Sequence, residues 1–339
     1  MPGGIRGGSR SGSPAVPGKS SPGGSQSPTF FHAYDVRGQY PSELDSAAAR
    51  ALGRAIAGTF PGPTLLGWDT RADSLPFARG IELGLSLGGN PVSRLGIVPT
   101  PLVAYAAARW KVWGLCATAS HNPLGYVGLK GFDPSGRILG KDWERVRRRF
   151  GKDGKDPPRS SAPSRGSPAA PMATKVEHAY LRWIGQGPRV EGTIVVDPRG
   201  GAASKLVVRA LRHIGARVVP VDGEFSPDFF GRSPEPRPTD LALLGRLVRR
   251  HRGTFGATFD GDGDRVLFVD RDGIYVEPEL VALLLHREEP GRDRVLVASV
   301  DVSQRLEQFA RVQRCRVGTR FVIEAMRRAR AEVAVEASS

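Results

Sequence analysis

The sequence predicts an α/β protein of three successive domains, the last of them incomplete. Short apolar strands alternate with stretches of helical period along nearly the whole chain, which is the pattern of layered α/β domains. That alternation breaks at 151–172, a Pro/Ser/Gly/Lys segment (GKDGKDPPRSSAPSRGSPAAPM) whose composition cannot bury a core. It restarts twice beyond, and the apolar stretch 331–335 then runs into Glu336-Ala337-Ser338-Ser339, where the sequence stops. A length of 339 residues suits two or three domains at roughly 150 residues each.

Residues 1–28 are mostly Gly, Ser and Pro and lack the apolar core of a secretory signal. They read as a disordered tail, or as translation assigned from too early a start. Domain I is expected over 29–150. Ser42 and Asp45 have capping-box spacing, and Leu44, Ala48, Leu52, Ile56 and Phe60 then recur at i+4 as the apolar stripe of a helix. Next come a strand at 65–67, a helix at 77–87, a strand ending at Val98-Pro99 and a helix at 102–112. The segment 151–172 is a linker or a long loop. Domain II, 173–270, carries strands at 193–197, 217–221 and 255–259, with helices at 203–214 and 240–250. Domain III, 271–339, holds a helix at 279–285, a strand at 295–300, and helices at 303–309 and 320–329. Residue matching shows no internal repeat, although the three successive α/β units leave a structural relation open.

Composition narrows the function. No stretch reaches the ~20 apolar residues of a membrane span. Two cysteines, Cys116 and Cys315, make no disulfide framework and no thiolate metal site, which suits a reducing cytoplasm. The net charge is +15, with one dense run at Arg145, Arg147, Arg148 and Arg149, but no nucleic-acid-binding motif accompanies it. A positive field equally steers small anions.

Two motifs carry chemistry. Asp260-Gly261-Asp262-Gly263-Asp264-Arg265 lies between two apolar strands, and its alternate carboxylates can converge on one hard cation such as Mg²⁺ or Ca²⁺. An EF-hand is excluded, because Arg265 and Arg271 stand where that loop needs Gly and Glu. The bland reading is an acidic hairpin turn, but three crowded carboxylates repel one another without a cation. The second motif, Thr118-Ala119-Ser120-His121-Asn122-Pro123, follows the apolar segment 112–116, so Ser120 sits on a strand-end loop where a base or metal can activate it. By itself it is equally an ordinary Asn-Pro turn.

Together, TASHNP, the following Gly128-Leu129-Lys130 and DGDGDR resemble the α-D-phosphohexomutase superfamily, in particular its phosphomannomutase/phosphoglucomutase branch. The resemblance runs from about Phe30 to the end. It takes in Tyr34-Asp35-Val36-Arg37-Gly38, Val98-Pro99-Thr100-Pro101, Pro234-Glu235-Pro236 and Val317-Gly318. It implies mixed-sheet α/β domains, with the rest of the third and a C-terminal phosphate-binding domain absent. It also implies hexose 1-phosphate/6-phosphate interconversion through a phosphoserine and a 1,6-bisphosphate, with Mg²⁺ as cofactor and glucose 1,6-bisphosphate as activator. By the same resemblance Ser120 carries the phosphoryl group, and Asp260, Asp262 and Asp264 hold Mg²⁺ against it. Lys130 aids proton transfer, Arg37 and Arg265 contact phosphate or sugar, and His121 is counted with Ser120, Lys130 and Arg37 among the catalytic residues. Tyr34, Arg265, Gly318, Thr319, Glu336 and Ser338 contact the phosphosugar. Arg37 and Arg265 also have a plainer reading, as salt-bridge partners of the nearby aspartates.

Three positions depart from the family pattern. Val127 stands where an Asn is usual, and Thr319 where some members have His. The sugar-specificity loop begins at Glu336 and Ser338 without its Gly-His. The YDVRG opening favours mannose or glucose phosphate, with glucosamine phosphate as the alternative. Little or no mutase turnover is expected of the chain as given. A non-catalytic phosphosugar-binding fragment is the rival from another class.

Overall fold

The computed structural model describes residues 30–32, 35–150, 169–288 and 294–336. The tail 1–28, Tyr34, Ser338 and most of the 151–172 segment lie outside them, as does the side chain of Thr319. The fold is α/β throughout, with three sheets in succession.

The first sheet has the order β1-β5-β4-β2-β3, built from β1 (Asp35–Gln39), β2 (Thr64–Trp68), β3 (Val92–Ile97), β4 (Trp113–Ala117) and β5 (Tyr126–Phe132). Strands β3, β2 and β4 are parallel, whereas β5 is antiparallel to both β4 and β1. The period of two along a strand sends Leu66, Leu115 and Leu129 to one face and Leu65, Cys116 and Phe132 to the other. Helices α1 (Ser46–Thr59), α2 (Ser74–Leu87) and α4 (Asp142–Arg149) cover the first face through Leu52, Ile56, Phe77, Ile81 and Val146. The predicted stripe is there, with Leu44, Leu52, Ile56 and Phe60 buried. The cap differs: Asp45 rather than Ser42 is the N-cap of α1, and its carboxylate accepts the Ala48 N–H at 2.7 Å. Helices α1 and α2 cross where Gly53 meets Gly84; a Cβ on Gly84 would lie 2.1 Å from the Arg50 carbonyl oxygen, so only glycine permits the approach.

Helix α3 (Thr100–Trp110) covers the opposite face, joined by α5 (Ala169–Ile184), whose Val176 is fully buried beside Val103. This corrects the linker reading. Ala169 to Met172 are helical, and α5 packs on the first sheet although the boundary at 172 assigns it to the second domain. The arginine run falls on α4, where Arg145 and Arg147 pair with Asp142 and Glu144.

The second sheet repeats the pairing of the first, except that its antiparallel edge strand comes last in the chain where β1 comes first. Its order is β10-β9-β8-β6-β7, from β6 (Thr193–Asp197), β7 (Arg217–Pro220), β8 (Phe255–Phe259), β9 (Val266–Val269) and β10 (Tyr275–Val276). Again three parallel strands are followed by two antiparallel ones. Helices α6 (Ser204–His213) and α7 (Ala242–Arg250) cover its two faces through Val208 and Val248. The third sheet, β12-β11-β13, has the three parallel strands alone: β11 (Val295–Ser299), β12 (Arg311–Cys315) and β13 (Ala334–Val335). It lies between α8 (Pro278–Glu288) and α9 (Thr319–Ala329). The repeat that residue matching misses therefore lies in strand pairing. No helix among the described residues is long and apolar enough to cross a membrane.

Candidate active site

The β4–β5 and β8–β9 hairpins hold equivalent places in the first two sheets, and their tips meet. Ser120 lies in the first tip with φ +53°, in the left-handed region that a side chain seldom adopts, and is 1% exposed. Its hydroxyl donates to Asp260 Oδ2 at 2.9 Å, across the boundary between the two sheets. The Ser120 N–H donates to Thr118 Oγ1 at 2.8 Å, and the Thr118 hydroxyl in turn donates to Asp69 Oδ2 at 2.7 Å. The Arg71 guanidinium donates to the carbonyl oxygens of Ser120, Asn122 and Pro123 at 2.7, 2.5 and 2.7 Å.

The second tip gathers the three carboxylates. One oxygen from each of Asp260, Asp262 and Asp264 lies within 4.8 Å of the others. Asp260 Oδ1 closes its own loop by accepting the N–H groups of Asp264 and Arg265 at 3.1 and 3.0 Å. Asp262 Oδ2 accepts from the Thr100 hydroxyl at 2.5 Å and from Lys130 Nζ at 2.7 Å. The Thr100 N–H also binds the Asp262 carbonyl at 2.9 Å, so the acidic loop sits at the positive end of α3. Lys130 Nζ reaches Asp264 Oδ2 as well, at 2.6 Å.

The electrostatics suit a cation. Burial, then the charges of Asp262 and Asp264, push the Asp260 carboxyl well above the usual carboxylate range. Desolvation and then the Asp262 charge raise Asp264 as well, although its side chain remains 32% exposed. Burial opposes ionisation of Asp262 too, but the Lys130 ammonium and hydrogen bonds from Lys130 and Thr100 outweigh it and hold Asp262 below the usual range. The same ion pairs overcome burial at Lys130 and keep its ammonium charged well past its ordinary range. Three carboxylates thus face one lysine, and the buried Asp262 Oδ1 has no hydrogen-bond partner among the described residues. An oriented, unspent carboxylate oxygen in an all-oxygen donor set fits Mg²⁺. Asp260, Asp262, Asp264 and the Ser120 hydroxyl are the groups that would hold it.

Around this centre, Arg37 Nη1 donates to Asn122 Oδ1 at 2.7 Å while its Nε pairs with Asp35 at 2.8 Å, so it is both loop support and ion-pair partner. Arg265 pairs with Glu235 of the Pro234-Glu235-Pro236 segment at 2.9 Å, not with an aspartate. His121 Nδ1 is 3.4 Å from Ser120 Oγ. Burial and the cations of Arg265, Arg37 and Lys130 push its imidazole down to about 4, so it is neutral at physiological pH. A cleft of about 750 Å³ opens between the residues that follow Ser120 and the 231–237 segment, lined by His121, Asn122, Arg232, Ser233, Glu235 and Arg237 among others. Gly318 and Glu336 meet on the third sheet, where the Gly318 N–H donates to the Glu336 carboxylate. Val127 is fully buried in the first core, so in this chain that position serves packing.

Sequence reasoning missed Asp69, Arg71 and Phe229, and quoted Thr100 only within a motif. One signal was present: β2 and β6 both run into Asp-x-Arg, at Asp69-Thr70-Arg71 and Asp197-Pro198-Arg199. In both, the carboxylate accepts the arginine N–H, at 3.1 and 3.0 Å.

The chain matches the phosphoglucomutase/phosphomannomutase family models for α/β/α domain I over residues 28–155 and for domain II over 182–273. It is 33% identical to a phosphoglucosamine mutase of Mycolicibacterium paratuberculosis, over 88% of this chain and 70% of that protein. A Methanothermobacter thermautotrophicus protein named for the same activity is 32% identical, over 86% of this chain. The chain spans 65% of the length of that relative. Among solved structures, a Thermus thermophilus protein named as a phosphomannomutase superposes with a TM-score of 0.75 at 26% identity, over 92% of this chain and 74% of that one. A family protein from Burkholderia thailandensis shares the fold, with a TM-score of 0.74 at 23% identity over 91% of this chain and 70% of that one. The chain belongs to the phosphoglucomutase/phosphomannomutase family of the α-D-phosphohexomutase superfamily.

Proposed function

We propose that the chain carries the phosphoryl-transfer centre of a phosphoglucosamine mutase, with Ser120 as the group that accepts and returns phosphate. The observation that carries this is the Ser120 hydroxyl at 2.9 Å from Asp260, inside a carboxylate trio contributed by a different domain. Phosphoryl transfer depends on positioning and on neutralising charge over the moving oxygens. Bound among the carboxylates, Mg²⁺ would supply positive charge against those oxygens. Asp260 would orient the Ser120 oxygen, while Arg37, Lys130 and Arg265 provide the cationic wall of a site for a dianion. Glucosamine 1-phosphate and glucosamine 6-phosphate would interconvert through a 1,6-bisphosphate. Phospho-Ser120 would give its phosphoryl group to the free hydroxyl of one monophosphate, the bisphosphate so formed would reorient, and its other phosphate would return to Ser120, releasing the isomeric monophosphate.

The sugar is where the YDVRG reading shifts. That opening favours mannose or glucose, whereas the mycobacterial and archaeal relatives are named for glucosamine. The test is phosphopeptide mass analysis after incubation with Mg²⁺ and either glucosamine or glucose 1,6-bisphosphate, with Ser120→Ala as control. Phosphate on Ser120, gained faster from the glucosamine compound, is the expected result. Faster labelling from the glucose compound would return the sugar to the first reading. No label on a folded chain that still binds bisphosphate would leave phosphosugar binding without catalysis.

A further inference from the structure

The geometry points to Arg71 and Phe229 as a positioning pair that seats the Ser120 loop on the carboxylate loop, an inference that rests on the phosphoryl-transfer reading. Neither residue belongs to a hairpin tip, yet each touches one. Arg71 is 4% exposed, and its guanidinium donates to three carbonyl oxygens of the Ser120 loop. A planar fork with five donors can satisfy three acceptors at once, which an ammonium on a flexible stem cannot do in the same geometry. The loop it holds includes the left-handed Ser120, a conformation that persists only where its surroundings over-determine it.

Phe229 approaches from the second domain. Its ring lies 5.2 Å from the Arg71 guanidinium carbon, within cation–π range. The same ring packs on the carboxylate loop. A Cβ added at Gly261 would lie 2.8 Å from the Ser120 carbonyl oxygen and 3.2 Å from the Phe229 ring, so the loop backbone, the serine carbonyl and the ring share one tight contact.

The turn that delivers Phe229 is itself strained. Phe229 and Phe230 both have positive φ, +56° and +55°, a poor conformation for two bulky residues in succession. The Ser226 hydroxyl and the Asp228 carboxylate hold the turn by accepting the Phe230 N–H at 3.0 and 3.2 Å. Its consequence is that Phe229 is fully buried under Arg71 while Phe230 is 45% exposed. Strain kept at a domain boundary, where it places one ring between two reactive loops, is consistent with positioning.

The experiment compares the parent chain with Arg71→Lys, Phe229→Leu and the double variant. Three readouts are taken: the rate of Ser120 phosphorylation by glucosamine 1,6-bisphosphate with Mg²⁺, Mn²⁺ affinity, and hydrogen exchange of the 118–125 and 260–265 segments. Arg71→Lys is expected to slow phosphorylation about 100-fold and Phe229→Leu about tenfold, as displacement of reacting groups by an ångström does. Mn²⁺ affinity should fall by no more than about tenfold, well short of the loss in phosphorylation by Arg71→Lys, because the three aspartates are untouched and only the seating of the loops shifts. The double variant should be no slower than Arg71→Lys alone, since both act on one contact. Phe229→Leu should speed exchange in both segments together. Unchanged phosphorylation in both single variants, or losses that multiply in the double, would overturn the pair and leave the phosphoryl-transfer reading standing. A parent that takes no phosphate would overturn that reading instead, and exchange alone then judges the pair: loosening confined to one segment sinks it.

Discussion

The first two sheets share their pattern of parallel and antiparallel pairing and an Asp-x-Arg turn after the middle strand of the parallel three, yet their hairpin tips are held in opposite ways. With Asp69 aligned on Asp197, the parallel registers align Ala117 with Ala257, so Ser120 and Asp260 occupy corresponding places. The Ser120 tip is gripped from outside, by a cation on its carbonyl oxygens. The Asp260 tip is gripped from within, by its own carboxylate on two N–H groups. The arginine that corresponds to Arg71 is Arg199, which donates to the Ser233 carbonyl at 2.9 and 3.1 Å, and so supports the segment flanking the cleft rather than the tip. A tip that presents an uncharged nucleophile has no charge of its own to fix it and borrows one. A tip that gathers carboxylates can use one of them as its brace and leave the others for a cation. One scaffold thus supplies two complementary halves, and neither half is a site alone.

The largest effect should come from removing the nucleophilic half. Ser120→Ala is expected to reduce phosphate incorporation by at least about 1000-fold, with circular dichroism close to the parent and Mn²⁺ affinity lowered only about tenfold because the three carboxylates remain. Labelling that persists would place the acceptor elsewhere. Asp262→Asn tests the other half: Mn²⁺ affinity should fall by at least about 100-fold, and phosphorylation with it. Normal metal binding in that variant would deny the carboxylate tip its role.

Lys130→Met sharpens the contrast, because it removes the ammonium now set between Asp262 and Asp264. In chelator it should cost about 3 kcal/mol by thermal unfolding, the cost of leaving buried charge uncompensated. Mg²⁺ should restore more stability to this variant than to the parent. Equal gains would mean that the carboxylates do not share one cation site. The smallest effect is expected from Arg199→Lys, with Mn²⁺ affinity down roughly threefold and Ser120 phosphorylation little changed. If it slowed phosphorylation as much as Arg71→Lys, the two Asp-x-Arg turns would be doing the same job.

Much of this was legible in the chain. Apolar runs bounded by turn residues located β6 and β8 to the residue, because buried strands are continuous hydrophobic stretches with abrupt ends. The i+4 stripe found α1, though not its cap, since Ser42 and Asp45 offer similar side chains and only the backbone path decides between them. Strand β5 was not separated from its motif, because Tyr126-Val127-Gly128-Leu129-Lys130 carries a lysine and a glycine where a strand signal needs apolar or β-branched residues. Helix α5 was hidden by its Pro- and Ala-rich start next to a linker-like segment. At the site, Ser120 and the three aspartates stood out because chemistry constrains their spacing. Arg71 and Phe229 did not, because each acts through a partner far away in sequence.

The sequence by itself determined the candidate site residues, the alternation of strands and helices, and the family, since these depend on local pattern and spacing. Only the tertiary structure decided that the first two units repeat one pattern of strand pairing and that hairpin tips about 140 residues apart meet. It also decided that Lys130 stands among the carboxylates and that a strained turn seats Phe229 beneath Arg71. The physical reason is that contacts between distant segments depend on how whole layers pack, and no window of sequence contains that information.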